Sequence, residues 1–472
     1  MKLYNTLTRK VEEFTTLEDK KVKMYTCGVT VYSQPQIGNW VAYIYSDILT
    51  RVLQASGYEV TRIQNITDVG HLVSDDDSGE DKMEKGAKKE GLTAWQVADK
   101  YIEIADREAF EWLNLKRPTK LIRATDLIAE QIAFVEKLEE KGYTYQIKDG
   151  IYFDTSKLSD YGKLARLDIE GLEAGARVDV KGKKNKTDFA LWKFSPKDQK
   201  RDMQWESPWG IGFPGWHLEC SVIAYESLGE QIDLHTGGID HIPVHHTNEI
   251  AQTESVTGKQ FSKFWFHNNH IKINGTKLSK SLGNSYTLQD ILDKGFSLEA
   301  FKLMVLSSSY RTEGNFTWEI LEATQNRLNN WQAAADLRWQ VSEAGHDEEG
   351  DTSPQEEAII NATQQVLLAL QNDLDTPFAL SVIDEVVNRV EKEELSAESA
   401  TSFEKMLTEI NQLLGVNLLK PDITDEQKQL IKDRETARAV KDWAKSDEIR
   451  SQLKAEHLEV RDTPHGPIWS RT

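Results

Sequence analysis

The sequence predicts an α/β protein in which a doubly wound domain carries an insertion and is followed by an α-helical bundle and a small mixed α/β unit. Three observations predict this. A strand, a glycine-bearing loop, a helix and a second strand follow one another between Val22 and Ile66. A helical pattern runs almost unbroken after about Glu313, and a charged helix with a short strand, LEVRD, closes the chain beyond Pro421. Strand and helix alternating in this way build a parallel sheet with helices on its faces, a Rossmann-type arrangement. At 472 residues the chain exceeds what one ordinary core can organise, so three or four structural units are expected.

The elements follow from local pattern. Val22 to Thr26 alternates as a strand and leads into the loop CGVTVYSQPQIG, after which Val41, Ile44, Tyr45, Ile48 and Val52 recur at helical spacing. Tyr58 to Ile66 is a second β-rich run. Ligands of doubly wound sheets sit beyond the carboxyl ends of the strands, so the loop from Gly28 to Gly38 is expected to face a nucleotide. Ile128, Ile132, Val135 and Leu138 mark a further helix, with Asp126 as its N-cap and Gly142 as its stop. Residues 120–200 read as the insertion. Within it the run KGKKNK, with Lys181, Lys183, Lys184 and Lys186, reads as a solvated turn. The acidic stretch from Glu343 to Glu357 reads as a flexible loop between helices, and one helix is expected from Asp425 to about Leu453. There are no internal repeats.

Composition narrows the function classes. The start, Met1 to Phe14, lacks an apolar signal core, and nowhere do roughly 18 apolar residues run together as a membrane helix requires. The expected address is the cytoplasm, with no membrane partner. A formal net charge of −20 argues against non-specific nucleic-acid binding, so any RNA contact must use local basic patches inside a repelling field. The two cysteines, Cys27 and Cys220, could close a disulfide, hold a metal or sit inertly in a core; in the cytoplasm the disulfide ranks last.

A metal constellation stands out. Seven of the eleven histidines fall between His217 and His270 (His217, His235, His241, His245, His246, His267, His270), and Cys220 lies in the same window. Any one of them taken alone reads as an ordinary core or surface histidine. In PVHHTNEIAQ, however, His245 and Glu249 are four residues apart, so on a helix they share one face and one ion; Cys220 can join them as a thiolate, and Cys27 adds a second. Nitrogen, sulfur and carboxylate ligands together favour zinc over magnesium, calcium or an iron–sulfur cluster.

A second constellation is KLSKS at Lys277 to Ser281, flanked by Gly275 and Gly283. Two lysines and two hydroxyls on a glycine-flanked loop suit a triphosphate, since ammonium groups can neutralise charge as it moves to a leaving pyrophosphate. As a bare string it is also an ordinary exposed turn.

Together, TCGVTVY (Thr26–Tyr32), QIGN (Gln36–Asn39), GWHLECS (Gly215–Ser221), GGIDHIPVHHTNEIAQ (Gly237–Gln252) and KLSKSLGN (Lys277–Asn284) resemble cysteinyl-tRNA synthetases of class I. The resemblance spans essentially the whole chain and reaches KDWAKSDEIRSQL (Lys441–Leu453) and EVRDTPHGPIW (Glu459–Trp469), which look like the family's anticodon-reading end. It implies a ligase that activates L-cysteine with ATP and Mg²⁺ and transfers it to tRNA(Cys), as a monomer, with one Zn²⁺ held by Cys27, Cys220, His245 and Glu249 gripping the substrate sulfur. The exchange of sulfur for oxygen is then read by a thiophilic ion, which separates cysteine from serine better than an apolar pocket would.

The same resemblance assigns further roles. Thr30, Thr67 and Trp216 would line the amino-acid pocket. Gly38, Gly237, Gly238, Asp240 and Lys280 would contact ATP, with Asp240 reaching the ribose. Lys277, Lys280, Gln36 and Asn39 would be catalytic, and Arg438, Trp443, Asp447 and Asp462 would meet the anticodon. The implied domains are a catalytic Rossmann-type domain in two halves (1–119 and 201–260) around the connective insertion (120–200), a stem-contact-like segment with the KLSKS loop (261–312), a helical bundle (313–418) and an anticodon-recognition domain (419–472).

The chain departs from the family in two places. Where class I enzymes of this kind carry His-Ile-Gly-His, this chain reads Gln36, Ile37, Gly38, Asn39, so both imidazoles are replaced by neutral amides. The stretch HLVSDDDSGEDKMEKGAKKEG after NITDVG is longer than in many relatives, and Asp75 to Asp81 reads as a flexible loop. These departures keep two alternatives in view: a cysteine ligase that passes the adenylate to a small amine, and a non-catalytic RNA- or zinc-binding paralogue.

Overall fold

A strand buried on both faces must find hydrogen-bonded neighbours on both edges, and the run at Val22 does so at the centre of a parallel sheet. The structure, a computed structural model, describes residues 1–70, 81–167, 182–196, 201–277, 285–341, 353–393, 395–463 and 466–471, apart from the side chains of Lys82 and Lys277. It divides into two units, Met1–Asp290 with Tyr310–Asn315, and Ile291–Ser309 with Phe316–Thr472.

The first unit opens with a hairpin, β1 (Lys2–Asn5) and β2 (Lys10–Glu13), followed by β3 (Lys21–Thr26), α1 (Ile37–Ala55), β4 (Glu59–Ile66), α2 (Lys82–Glu90) and α3 (Ala94–Asp106). After a π-helical turn at Arg107–Trp112 come β5 (Lys120–Arg123), α4 (Ile128–Glu140) and four short strands, β6 (Thr144–Ile147), β7 (Gly150–Phe153), β8 (Phe189–Phe194) and β9 (Gly212–Pro214). The chain continues through α5 (Trp216–Leu228), β10 (Ile232–Gly238), α6 (His245–Thr257), β11 (Ser262–Asn268), β12 (Ile271–Ile273), β13 (Thr276–Lys277) and α7 (Leu288–Asp293).

The main sheet has the order β11-β10-β3-β4-β5 and is parallel throughout. Numbered by appearance this is 5-4-1-2-3, the order of a doubly wound sheet, with its switch point between β3 and β10. Thr26 pairs with Thr236 and Tyr25 with His235, so these two strands end level with each other. The predicted face of α1 is buried as expected: Val41, Ile44, Tyr45, Ile48 and Val52 are all inside. Each such side chain contributes roughly 1.5–3 kcal/mol by leaving water.

Strands β6, β7, β8 and β9 form an antiparallel sheet, in the order β6-β7-β8-β9, whose core includes Ile151, Phe153, Leu191 and Trp192 against Phe134, Val135 and Leu138 of α4. Gly142 ends that helix in the left-handed region, φ +76°, where a glycine costs least. Its start differs from expectation. A 3-10 turn over Ala124–Leu127, held by the Gln131 amide donating to Ala124 O at 2.8 Å, puts the N-cap at Leu127 rather than Asp126. Of the run KGKKNK, Lys184 is tied down, bonding Asp154 at 3.0 Å and lying over the Tyr145 ring; Lys181 lies outside the described residues. The predicted loop Asp75 to Asp81 lies outside them too, apart from Asp81, which is no loop residue: it caps α2 by accepting from Met83 N (2.7 Å) and Glu84 N (3.0 Å), and it pairs with buried Arg201.

The second unit is helical as predicted. It contains α8 (Leu298–Leu306), α9 (Trp318–Asp336), α10 (Pro354–Gln371), α11 (Thr376–Lys392), α12 (Ala397–Leu414), α13 (Asp425–Ala439) and α14 (Trp443–Ala455), closed by an antiparallel hairpin of β15 (Leu458–Thr463) and β16 (Gly466–Arg471). A short strand, β14 (Gly314–Phe316), belongs to the three-stranded sheet β13-β12-β14. Two expectations are corrected. Pro354 to Glu357 belong to a helix capped by Ser353, while 343–352 lie outside the described residues. The single helix expected over Asp425 to Leu453 is two helices, because Lys441 turns left-handed (φ +64°) and Asp442 restarts the helix by accepting from Lys445 N at 3.0 Å.

Candidate active site and metal centre

At the switch point the chain leaves β3 and β10 in opposite directions, and a cavity of about 410 Å³ opens beyond their carboxyl ends. Cys27 is the first residue past β3, with its N–H bonded to Thr236 O at 3.3 Å. Gly28 must be glycine: a Cβ there would lie 1.6 Å from Asn65 O. Its N–H donates to Asn65 Oδ1 at 2.6 Å, and Asn65 Nδ2 passes on to Thr67 Oγ1 at 2.9 Å. Thr30 and Thr67 form a parallel bridge that extends β3 and β4 past their ends, so residues distant in sequence become neighbours at the cavity wall.

The four candidate ligands converge. One donor atom each from Cys27, Cys220, His245 and Glu249 lies within 4.8 Å of the others, and all four side chains are buried. Ligand atoms around a tetrahedral zinc are about 3.3–3.8 Å apart given Zn–N and Zn–S lengths of about 2.0–2.3 Å, so this spread fits one ion. Cys220 comes from the second turn of α5, while His245 and Glu249 project from consecutive turns of α6, as the spacing predicted. Gly215 sets the start of α5; a Cβ there would stand 2.0 Å from Ala190 O. Helix α6 is buried along most of its length although polar, with His245, His246, Asn248, Glu249 and Gln252 all inside, which marks it as a site rather than packing.

The charge at this floor is organised for a cation. Burial penalises the Cys220 thiolate, but the Cys27 thiol donating to it and the neighbouring His245 bring its pKa below the ordinary value. Cys27 is the pair's proton holder, raised by burial and by Cys220. Burial likewise opposes ionised Glu249, yet His235 and His245 hold its carboxyl well below the usual carboxylate range. Burial would lower His245, and the charges of Glu249 and Cys220 outweigh it, raising its pKa to about 10. His245 Nε2 lies 2.9 Å from Glu249 Oε1, and His235 Nε2 takes the other oxygen at 2.7 Å. That second contact is what fixes a ligating carboxylate from behind. Both thiols are free, so the donor chemistry of the site suits a thiophilic divalent ion.

Six of the seven clustered histidines, His217, His235, His241, His245, His246 and His267, meet ring against ring, whereas His270 is exposed and lines the cavity. His217 Nδ1 meets His245 Nδ1 at 2.9 Å, and a file runs from Cys27 Sγ to His246 (3.2 Å), His267 (2.7 Å) and Thr6 (2.8 Å). Cys27, His235, His246 and Glu249 make a second group with the same close spacing, sharing two members with the first.

Above the floor, Thr30, Thr67, Trp216, Gly237, Gly238 and Asp240 all line the cavity. Trp216 packs its ring on His245, centroids 4.6 Å apart. Packing accounts for the two glycines: a Cβ at Gly237 would lie 2.7 Å from His241 and His246, and one at Gly238 would lie 2.3 Å from Asp240 Oδ1. Gln36, Gly38 and Asn39, at the start of α1, line the same cavity. Asn39 Oδ1 accepts from Gln36 N–H at 2.8 Å, which caps the helix and makes Nδ2 the donor end of the amide. Of the KLSKS motif, Lys277 ends β13 and Lys280 lies outside the described residues. Sequence reading missed Gln34, Tyr43, Asn65, Asn268 and Asn269 as lining residues; the signal for Asn65 was its place one residue before the carboxyl end of β4, where doubly wound sheets hold their ligands.

In the second unit, three of the four anticodon candidates gather. Asp462 on β15 receives a two-pronged contact from buried Arg434 (2.7 and 2.9 Å) and a third from Arg438 Nη2 at 3.2 Å. The Arg438 guanidinium lies 5.5 Å from the Trp443 ring centre, and Trp443 is 55% exposed at the start of α14. Asp447 is exposed one turn on, close enough to add to the field at Arg434. Arg434 went unnoticed in the sequence. Among the described residues no helix is long and apolar enough to cross a membrane.

Comparison with known proteins agrees with this anatomy. Residues 13–326 match the family of class I (C) tRNA synthetase catalytic domains, and residues 420–469 match the cysteinyl-tRNA ligase anticodon-binding domain. The chain is 44% identical to the cysteine–tRNA ligase 1 of Burkholderia lata over 98% of its own length and 95% of the relative's. It is 37% identical to the cysteine–tRNA ligase of Treponema denticola over 100% and 99%. Among solved structures its fold is similar to a methionyl-tRNA synthetase of Mycobacterium tuberculosis (TM-score 0.57, 14% identity, 83% of this chain and 89% of that one) and to the LeuRS of an Agrobacterium radiobacter complex (TM-score 0.61, 11% identity, 85% of each). With the family matched across the catalytic and the C-terminal regions alike, the chain belongs to the class I cysteine–tRNA ligases.

Proposed function

We propose that this protein is a working cysteine–tRNA ligase, which forms cysteinyl-adenylate from L-cysteine and ATP with Mg²⁺ and passes the cysteine to the 3′ end of tRNA(Cys). One observation carries the reading: two thiols, an imidazole and a carboxylate meet at the buried floor of a cavity whose rim has the size and polarity for a nucleotide and a small amino acid. Cys27, Cys220, His245 and Glu249 would hold zinc, and zinc when bound supplies a thiophilic seat that favours cysteine's sulfur over serine's oxygen.

The remaining work falls to the chain's own groups. Thr30, Thr67 and Trp216 orient the amino acid so that its carboxylate oxygen reaches the α-phosphorus of ATP; that P–O bond forms as the bond to the β-phosphate oxygen breaks and pyrophosphate leaves. Asp240 accepts hydrogen bonds from the ribose hydroxyls, Gln36, Gly38 and Asn39 lie along the phosphates, and Lys277 and Lys280 offset the charge gathering on pyrophosphate. The terminal tRNA hydroxyl then attacks the acyl carbon and AMP departs. Arg438, Trp443, Asp447 and Asp462 would read the anticodon, the exposed Trp443 ring offering a stacking face. The reading extends to a monomer acting in the cytoplasm.

The test is cysteine-dependent ATP–pyrophosphate exchange together with charging of a tRNA bearing the GCA anticodon. Both activities are expected. Exchange without charging would move the protein to the small-amine ligases, and the absence of both, in protein carrying stoichiometric zinc, would leave a non-catalytic paralogue.

A further inference from the structure

The segment that carries Gln36 and Asn39 is gripped from outside itself. Helix α3 does not end at Asp106 but widens into the π turn Arg107–Trp112, in which Leu113 N–H donates to Glu108 O, five residues back, at 3.0 Å. A π turn inserts one residue into the helical register and re-aims the side chains around it, and such turns concentrate at functional sites. Here the re-aimed side chain is Glu108. It is fully buried, and both oxygens are used: Oε1 accepts from Gln34 Nε2 at 3.0 Å and Oε2 from Trp40 Nε1 at 2.9 Å. Gln34 lines the cavity two residues before Gln36, and Trp40, 2% exposed, follows Asn39 in the first turn of α1. One carboxylate thus bonds the chain on either side of the Gln36–Asn39 segment. Desolvating a carboxylate to hold two neutral donors is costly, and removing it would leave the buried Trp40 Nε1 without this acceptor.

We propose that Glu108 is a positioning residue for ATP: by bonding Gln34 and Trp40 together it fixes the Gln36–Asn39 segment in the geometry that meets the phosphates. The inference rests on the reading of this cavity as the ATP site. Its physical logic lies in the replaced imidazoles. Neutral amides bind phosphate more weakly than cationic donors, so their contribution depends on being held in place before ATP arrives.

The experiment measures ATP affinity calorimetrically in the zinc-loaded protein, for wild type, Glu108→Ala, Glu108→Asp, Gln34→Leu and the Glu108→Ala/Gln34→Leu pair. Glu108→Ala is expected to weaken ATP binding about 10-fold or more, the scale of losing hydrogen bonds to a charged acceptor, while zinc content stays at one per chain. Glu108→Asp should recover part of the loss. Gln34→Leu, at the cavity wall, should cost several-fold and add little on top of Glu108→Ala, because both act through one brace. If Glu108→Ala does not fold, Gln34→Leu alone decides. Affinity within two-fold of wild type in a folded variant, or fully additive losses in the pair, overturns the proposal. Should wild type bind no ATP, the reading of the cavity fails instead, and the brace is then judged by hydrogen exchange at Trp40 to Tyr43: faster exchange in Glu108→Ala supports it, unchanged exchange overturns it.

Discussion

Gln36 has an extended main chain, φ −101° and ψ 162°, open to any L-residue, and its N–H donates to Asn39 Oδ1 in the cap of α1. A histidine placed there meets no backbone obstacle. Gln36→His is therefore expected to hold the rate of cysteine-dependent exchange or to raise it, by up to about 10-fold if the imidazolium adds a charged donor to the leaving phosphates. A rate below about a tenth of wild type would mean that the cavity wall has been rebuilt around glutamine. Asp68, next to the pocket residue Thr67, carries a different kind of information. It is wholly buried; burial raises its pKa to about 6, against the opposing pull of its bonds from Thr125 Oγ1 (2.6 Å) and Thr125 N (3.0 Å). A carboxyl that holds its proton more tightly when folded stabilises the fold at low pH, and that stability is lost as pH rises through the window from the ordinary value of 3.8 to about 6. The swing is on the order of 3 kcal/mol at most, at about 1.4 kcal/mol per pKa unit. Asp68→Asn should remove it, so urea unfolding at pH 4, 5, 6 and 7 should give curves for the two proteins that diverge across this window. Parallel pH dependences would refute the assignment.

The helices and strands differ in how far the amino-acid sequence alone reveals their roles. The buried face of α1 and the one-sided pair His245 and Glu249 were legible because a single helix fixes their spacing. The break between α13 and α14 was not, since it turns on Lys441 adopting φ +64°, a conformation with no residue-type signal when the residue is lysine rather than glycine. Glu108 was equally opaque: its aim depends on a π turn, which hydrophobic periodicity at 3.6 does not register. The closing hairpin is half legible: LEVRD reads as the strand that becomes β15, whereas the pairing of β16 with it is visible only in space. Its anchorage is a matter of tertiary contact. Gln340, just past α9, donates its amide to Trp469 O at 3.0 Å and accepts from Trp469 N at 2.8 Å. Gln340→Ala removes both bonds, worth about 1–3 kcal/mol together. Hydrogen exchange of Gly466–Arg471 is expected to quicken about 5-fold or more while α10 to α12 keep their protection. Unchanged exchange in β16 would show that the Trp469 ring and the hairpin's own core suffice.

Across the whole molecule, the property that no segment of sequence displays is convergence. Cys27 and Glu249 stand 222 positions apart, yet the order β11-β10-β3-β4-β5 puts the end of β3 beside β10 and sets α5 and α6 over the same crevice. The residue types suggest a metal site; only the topology brings their donor atoms within 4.8 Å of one another. This has a thermodynamic consequence confined to one part of the chain, because all four donors belong to the unit Met1–Asp290 and none to Ile291–Ser309 or Phe316–Thr472. An ion bound there stabilises the first unit by RT ln(1 + [L]/Kd), about 4 kcal/mol at a thousandfold excess over Kd, and its removal leaves buried anionic groups facing each other. Chelation is accordingly expected to lower the first unit's thermal transition by roughly 10 °C and to speed hydrogen exchange in α5 and α6, with the protection of α10 to α14 unchanged. Zinc added back should restore both readouts, and Cys220→Ala should reproduce the chelated state with zinc present. Equal loss of protection in the two units, or none in either, would place the ion somewhere other than among Cys27, Cys220, His245 and Glu249.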